Sequence, residues 1–292
     1  MKNKVFWTRI MEIAVILAVM AFFACDNGST NSGGETGSET EGETGDKTLS
    51  GTITISPSSA KVGTELTAVY SGSEAITYQW KQGTTNVGTN ANKYTPAEAG
   101  YYTVTVSASG YVSKTSGVNV TNYYIGDIGP GGGMVFYDKG NVSDGWRYLE
   151  AALENIYPNM QWASPAFYPS AHTYGTGDWV DIPGTEEAIG TGKANTAAIL
   201  AIDANAPAAK ACVDYRGGDK DDWFLPSKNE LYRIYDNRNR FPVIIDSGTF
   251  SSSTQKNISN AWVYSFAYNQ WLSDGGSALK AEYNCVRPVR AF

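Results

Sequence analysis

The chain has 292 residues, a formal net charge of −7 and a pI near 4.9. It lacks the basic excess that sequence-independent binding to phosphate backbones requires, which argues against a sequence-independent nucleic-acid binder, and no nucleic-acid partner is expected. The single histidine, His172, excludes multi-histidine zinc sites and leaves one imidazole for any mechanism. A composition rich in Gly, Tyr and Trp predicts strands and turns rather than a helical bundle.

Lys2, Lys4 and Arg9 precede an unbroken apolar run at residues 13–24. A spanning helix needs about 20 such residues, so this run has the length of a signal-peptide core instead. It ends at Ala24-Cys25 and changes abruptly to Asp26-Asn27-Gly28-Ser29. A small residue followed by cysteine at this place resembles the lipobox of bacterial lipoproteins, although Phe22 stands where that pattern usually has leucine. The expectation is a signal peptide over residues 1–24 and an acylated Cys25. The protein would then be held in the cell envelope by a lipid anchor and exposed at the surface. An ordinary secretory signal with a chance cysteine is the other reading. Residues 26–48 hold six acids and one lysine, with GETG at 34–37 and again at 42–45. Residues 25–50 are thus expected to be a disordered, self-repelling spacer, because they have too little apolar surface to offset chain entropy.

From Gly51 the pattern becomes apolar–polar alternation in short runs, at 52–55, 65–70, 76–81, 101–106 and 117–120. Strands at this spacing predict a β-sandwich over residues 51–121. Leu66-x-Ala68, Trp80 and the stretch from Glu98 and Gly100 through Tyr102 to Val104 resemble the immunoglobulin-like family. The resemblance implies that Trp80 is the core tryptophan and Tyr102 the tyrosine corner. Ala68 and Val104 occupy the places of the two inter-sheet cysteines, so Trp80 should pack on them without a disulfide.

Residues 123–292 form a larger unit. Strands are expected at 134–137, 146–150, 222–225, 249–253, 261–268 and 283–292. Helices are expected at 193–202 and 208–215, with a third after Ser227, where Ser227-Lys228-Asn229-Glu230 is a capping box. The succession GDIGPGGGMVFYD, GWRYLEAA, ACVDYRGGDKDDWFLPSKNEL, NAWVYSF and CVRPVRAF resembles the C-type-lectin-like domain that ends a bacterial collagen-like adhesin, formerly a domain of unknown function. The expected fold class is therefore an all-β immunoglobulin-like sandwich followed by an α+β C-type-lectin-like domain. The resemblance implies that the strands at 134–137 and 286–289 pair, with Pro288 at an edge or bulge. It also implies a disulfide between Cys212 and Cys285, against the alternative of two buried thiols. Ligand contacts are implied just before the terminal strand, at Tyr268, Asn269, Gln270 and Trp271, with Tyr283 and Asn284 nearby.

The chemistry-bearing patterns have plain alternatives. Gly129-Pro130-Gly131-Gly132-Gly133 could cradle a phosphate, but a strand follows it, so a tight turn is the better reading. Gly190-Thr191-Gly192-Lys193 is P-loop-like, yet Ala194 replaces the Ser or Thr and Glu187 the first glycine. Asp219, Asp221 and Asp222 could bind calcium, though their spacing is not that of an EF-hand and an acidic turn suffices. His172 has no Ser or Cys partner in its loop, and Glu186-Glu187 need not converge on a bond. No catalytic residue is assigned, and no cofactor beyond that calcium. The expected role is an adhesin-like module binding an extracellular glycan or protein. An enzyme on the fold shared with formylglycine-generating enzymes, or a structural envelope lipoprotein, are the alternatives.

Overall fold

The structure is a computed structural model and describes residues 47–169, 177–242, 247–272 and 279–292. The leader, Cys25, most of the acidic spacer, His172 and the turn at 274–276 lie outside the described residues.

The first half contains strands β1 (Lys47–Thr48), β2 (Ile53–Ser56), β3 (Ala60–Lys61), β4 (Leu66–Tyr70), β5 (Thr77–Gln82), β6 (Thr85–Val87), β7 (Lys93–Tyr94), β8 (Gly100–Ser107), β9 (Tyr111–Val112) and β10 (Lys114–Thr121). β2-β4-β7 form one sheet and β3-β10-β8-β5-β6 the other, so the successive strands β2 and β3 fall in different layers of a sandwich, while β1 pairs with β9 outside both. Alternation does the sorting. Tyr102, Val104 and Val106 of β8 point inward and are buried, while Tyr101 faces solvent. Trp80 is fully buried, lies opposite Val104 in the ladder, and donates its indole N–H to Ala91 O at 3.0 Å. It shares its cluster with Ala68. Tyr102 donates its hydroxyl to Glu98 O at 2.9 Å, closing the corner that the Glu98–Val104 stretch implied. The immunoglobulin-like sandwich therefore stands on its own strand order and core.

The second half contains β11 (Met134–Ser143), β12 (Trp146–Ala151), β13 (Ile156–Met160), α1 (Gly192–Ile202), α2 (Pro207–Asp214), α3 (Lys228–Asp236), β14 (Thr249–Gln255), β15 (Ala261–Ser265), β16 (Gln270–Leu272), β17 (Asn284–Val286) and β18 (Val289–Ala291). Its sheets are β11-β12-β18 and β13-β17-β14-β15-β16. The last strand pairs with β12, not with the strand at 134–137 as expected. Pro288 falls between β17 and β18, where it needs no ladder donor, and its carbonyl accepts from Ala152 N at 2.9 Å. The expected strand at 222–225 reduces to one bridge, Phe224 to Val289. Two large clusters form most of the core, beside a smaller one of Tyr123, Val135 and Tyr148. One, around Phe136, Leu231, Phe250 and Phe266, lies beneath α3; the other, around Trp162, Ile199, Ala209 and Val286, lies against α1 and α2.

The two cores correct the disulfide expectation. Cys212 and Cys285 are both free. Cys212 lies in the second cluster with Val286. Cys285 precedes Val286 on a strand, so it points to the opposite face, toward the first cluster and Phe250. Burial pushes both thiols above the usual cysteine range.

Candidate functional site

The glycine loops considered as anion cradles are filled from within. Glu150 is fully buried. Its two oxygens accept from Gly131 N at 2.9 and 3.1 Å, from Gly133 N at 3.0 Å and from Arg290 Nη1 at 2.9 Å. A Cβ on Gly131 would meet Trp223 and Glu150 inside 3 Å, and one on Gly133 would meet the Ala151 carbonyl. The glycines let the backbone close on an internal carboxylate, leaving no room for a phosphate. Burial pushes the Glu150 carboxyl up against the opposing pull of Arg290 and the two amides. The second loop repeats the device. Glu230 completes the capping box on Ser227 and also accepts from Gly190 N at 2.8 Å and more weakly from Gly192 N. Burial raises its pKa to about 7, opposed by these amides.

The acidic turn is likewise engaged by the protein. Asp222 is ion-paired with Arg290, which bridges it to Glu150. Among the described residues no group of three His, Cys, Asp or Glu could hold a metal ion. Glu187 pairs with Lys228 at 2.9 Å.

The expected ligand residues divide between two places. β15 and β16 form a hairpin with Ser265 opposite Gln270 and Tyr264 opposite Trp271. The strand ends at Ser265, three residues before its expected end, because residues 266–269 make the hairpin loop. Asn269 adopts a left-handed φ of 52°, which asparagine tolerates better than most residues, and its Oδ1 accepts from the Tyr264 hydroxyl at 2.8 Å. This loop leaves Tyr268 76% exposed and Gln270 in solvent, with Trp271 half-buried beside them.

Tyr283 is also exposed, but it precedes β17, which is separated from β16 by β14 and β15. Three strand spacings amount to about 14 Å, so Tyr283 belongs to a different patch. Asn284 is buried and cannot meet a ligand as expected, because β17 is an interior strand covered on the face that Asn284 shares with Val286.

The aromatic face of β15 is partly core. Tyr264 and Phe266 are buried under α3, against Tyr235 at 4.9 and 5.1 Å between ring centroids. Trp262 remains half-exposed and meets Trp271 edge-on at 5.9 Å. Lys228, the first residue of α3, places its ammonium 3.7 Å from the Trp262 centroid and 5.5 Å from that of Trp271. Lys256 lies 5.3 Å from Trp262. Burial pushes the Tyr264 phenol up to about 12, so it remains a neutral donor to Asn269. The result is a cluster of Trp262 and Trp271 flanked by two lysines, with Tyr268 exposed in the adjoining loop and Gln270 on the other face of β16. Nothing in the sequence pointed to Lys228 and Lys256, since their approach to Trp262 depends on how α3 and the end of β14 pack.

No family model matches the chain, and no curated protein matches it. Among solved structures it is similar to a fimbrial protein from Bacteroides ovatus ATCC 8483, with 11% identity and a TM-score of 0.40 over 80% of this chain and 69% of that one. It is similar to the Yersinia pseudotuberculosis adhesin InvE, with 12% identity and a TM-score of 0.21 over 82% and 70%. It is also similar to the N-terminal four Ig domains of Dscam1 isoform 1.9, with 17% identity and a TM-score of 0.22 over 24% and 20%, so the chain spans about a fifth of that fragment. Likeness at this level carries no inference about activity.

Proposed function

We propose that this protein is an exported lipoprotein whose C-terminal domain, of C-type-lectin-like type, binds an extracellular glycan or protein. Cys25 would carry the lipid, the acidic spacer would act as a tether, and the immunoglobulin-like sandwich would hold the binding domain away from the membrane. Among the described residues no helix is long and apolar enough to cross a membrane, so the proposed attachment rests on the leader. One observation supports the binding assignment: the β15–β16 hairpin holds Trp271 beside Trp262, Lys228 and Lys256, with Tyr268 and Gln270 exposed at its loop end. Aromatic rings beside an amide and cations offer large contact area at low entropy cost, the composition that recurs in binding surfaces.

The test is a glycan and matrix-protein array probed with the protein, followed by Tyr268→Ala and Trp271→Ala. Each substitution should weaken binding of the hit by about 1 kcal/mol or more. Unchanged affinity in a correctly folded double variant would place the site elsewhere. Anchoring is tested separately with Cys25→Ser, which should abolish partition into detergent.

A further inference from the structure

Lys280 is 1% exposed. Its ammonium lies over the Trp162 ring at 4.8 Å and donates to Val180 O at 2.9 Å and to Gln255 Oε1 at 2.5 Å. Both acceptors are neutral, whereas buried charges are ordinarily paired with an opposite charge. The Gln255 carboxamide is gripped in turn. Ile182 N donates to Oε1 at 2.8 Å, and Nε2 donates to Oδ1 of Asp181 at 2.5 Å. A primary amine, a carboxamide, a backbone N–H on the carbonyl oxygen and a carboxylate on the amide nitrogen therefore converge at one place. These are the parts that acyl transfer needs: nucleophile, electrophile, oxyanion donor and proton carrier.

We propose that Lys280 and Gln255 join in an intramolecular isopeptide bond, with Asp181 as the proton carrier. The free amine of Lys280 adds to Cδ of Gln255, and negative charge collects on Oε1 opposite the Ile182 N–H. The Cδ–Nε2 bond then breaks. Asp181 takes a proton from the lysine nitrogen and delivers it to Nε2, which leaves as ammonia. One amide is exchanged for another, one ammonia is released, Asp181 is regenerated, and no oxidant or co-reactant is consumed. Burial supports the first step by pulling the Lys280 pKa down to about 8, against the opposing effect of Asp181. The contact holds the lysine nitrogen at the oxygen of the same carbonyl, and addition requires it to lose its proton and move from that oxygen to Cδ. The bond would close a ring from residue 255 to residue 280, enclosing β15, β16 and the hairpin loop. It would staple that hairpin covalently in a chain whose two described cysteines are free.

The experiment is mass spectrometry of the mature full-length protein after denaturation, reduction and chymotryptic digestion. The peptides bearing Lys280 and Gln255 should appear as one branched species, lighter than their sum by one ammonia, about 17 Da. Lys280→Arg and Asp181→Ala, each checked for folding by circular dichroism, should yield the two peptides separately. Separate peptides with intact lysine and glutamine from folded wild-type protein overturn the proposal. So does a bond formed to the wild-type extent in Asp181→Ala.

Discussion

Replacing Glu150 by glutamine keeps the size of the side chain and removes its charge at the one point where the glycine loop, β12 and β18 meet. The wild-type carboxylate accepts from Gly131, Gly133 and Arg290, all within 3.1 Å, at a position with no solvent exposure. Glutamine offers one acceptor oxygen and turns the other position into a donor. At least one of the three donors then loses its partner, at a cost of about 1–3 kcal/mol. Arg290 also loses a buried counter-charge, and breaking such a pair costs about 3–5 kcal/mol. Arg290 keeps Asp222, which holds the loss to the lower end. The expected destabilisation is about 3 kcal/mol for Glu150→Gln and about 4–5 kcal/mol for Glu150→Ala, where every acceptor disappears. Urea unfolding followed by tryptophan emission measures it. Six of the eight tryptophans, at 146, 162, 179, 223, 262 and 271, lie in the second domain, so the signal reports on the relevant half. The cycle with Arg290→Met should show a coupling above about 1 kcal/mol, as groups sharing one network do. A loss below about 1 kcal/mol for Glu150→Gln, or strict additivity with Arg290→Met, would refute the internal-cradle argument.

Two further outcomes follow from the same structure. A maleimide should label both Cys212 and Cys285 in unfolded, unreduced protein and leave Cys212 unlabelled in the folded state; protection of both after unfolding would restore the disulfide. The Asp138 carboxyl is held below its usual range by the Arg147 guanidinium, with the Gly140 amide adding to the effect. Its folded pKa lies below its unfolded one, so its contribution is fully present above about pH 4 and is lost as pH falls through the folded value. Asp138→Asn should therefore flatten the stability curve below pH 4 while changing its shape little at neutral pH, and an unaltered acid limb would contradict this.

Local chemistry was readable wherever it depends on neighbours in the chain. The alternation at 101–106 placed Tyr102 and Val104 inside and Tyr101 outside, because strand side chains change face at every residue. Ser227-Lys228-Asn229-Glu230 announced a helix start because a capping box closes within four residues. The exposed end of the hairpin, with Tyr268 and Gln270, was also legible, since a turn after a strand resists burial. What composition and spacing left open were choices between partners distant in the chain. Glycine loops that read equally as turns or phosphate cradles proved to be filled by Glu150 and Glu230, 17 to 40 residues away in sequence. A one-residue difference between Cys285 and Val286 decided that the two cysteines face different cores, a matter of register that cysteine counting does not contain. Asn284 was drawn inside by the strand on either side of β17. Lys280 reached Gln255, and through it Asp181, only because packing over Trp162 brings together residues 25 and 74 positions apart. Periodicity determines which face a residue takes; only packing determines what that face meets, because burial free energy is shared among elements that the chain brings together from far apart.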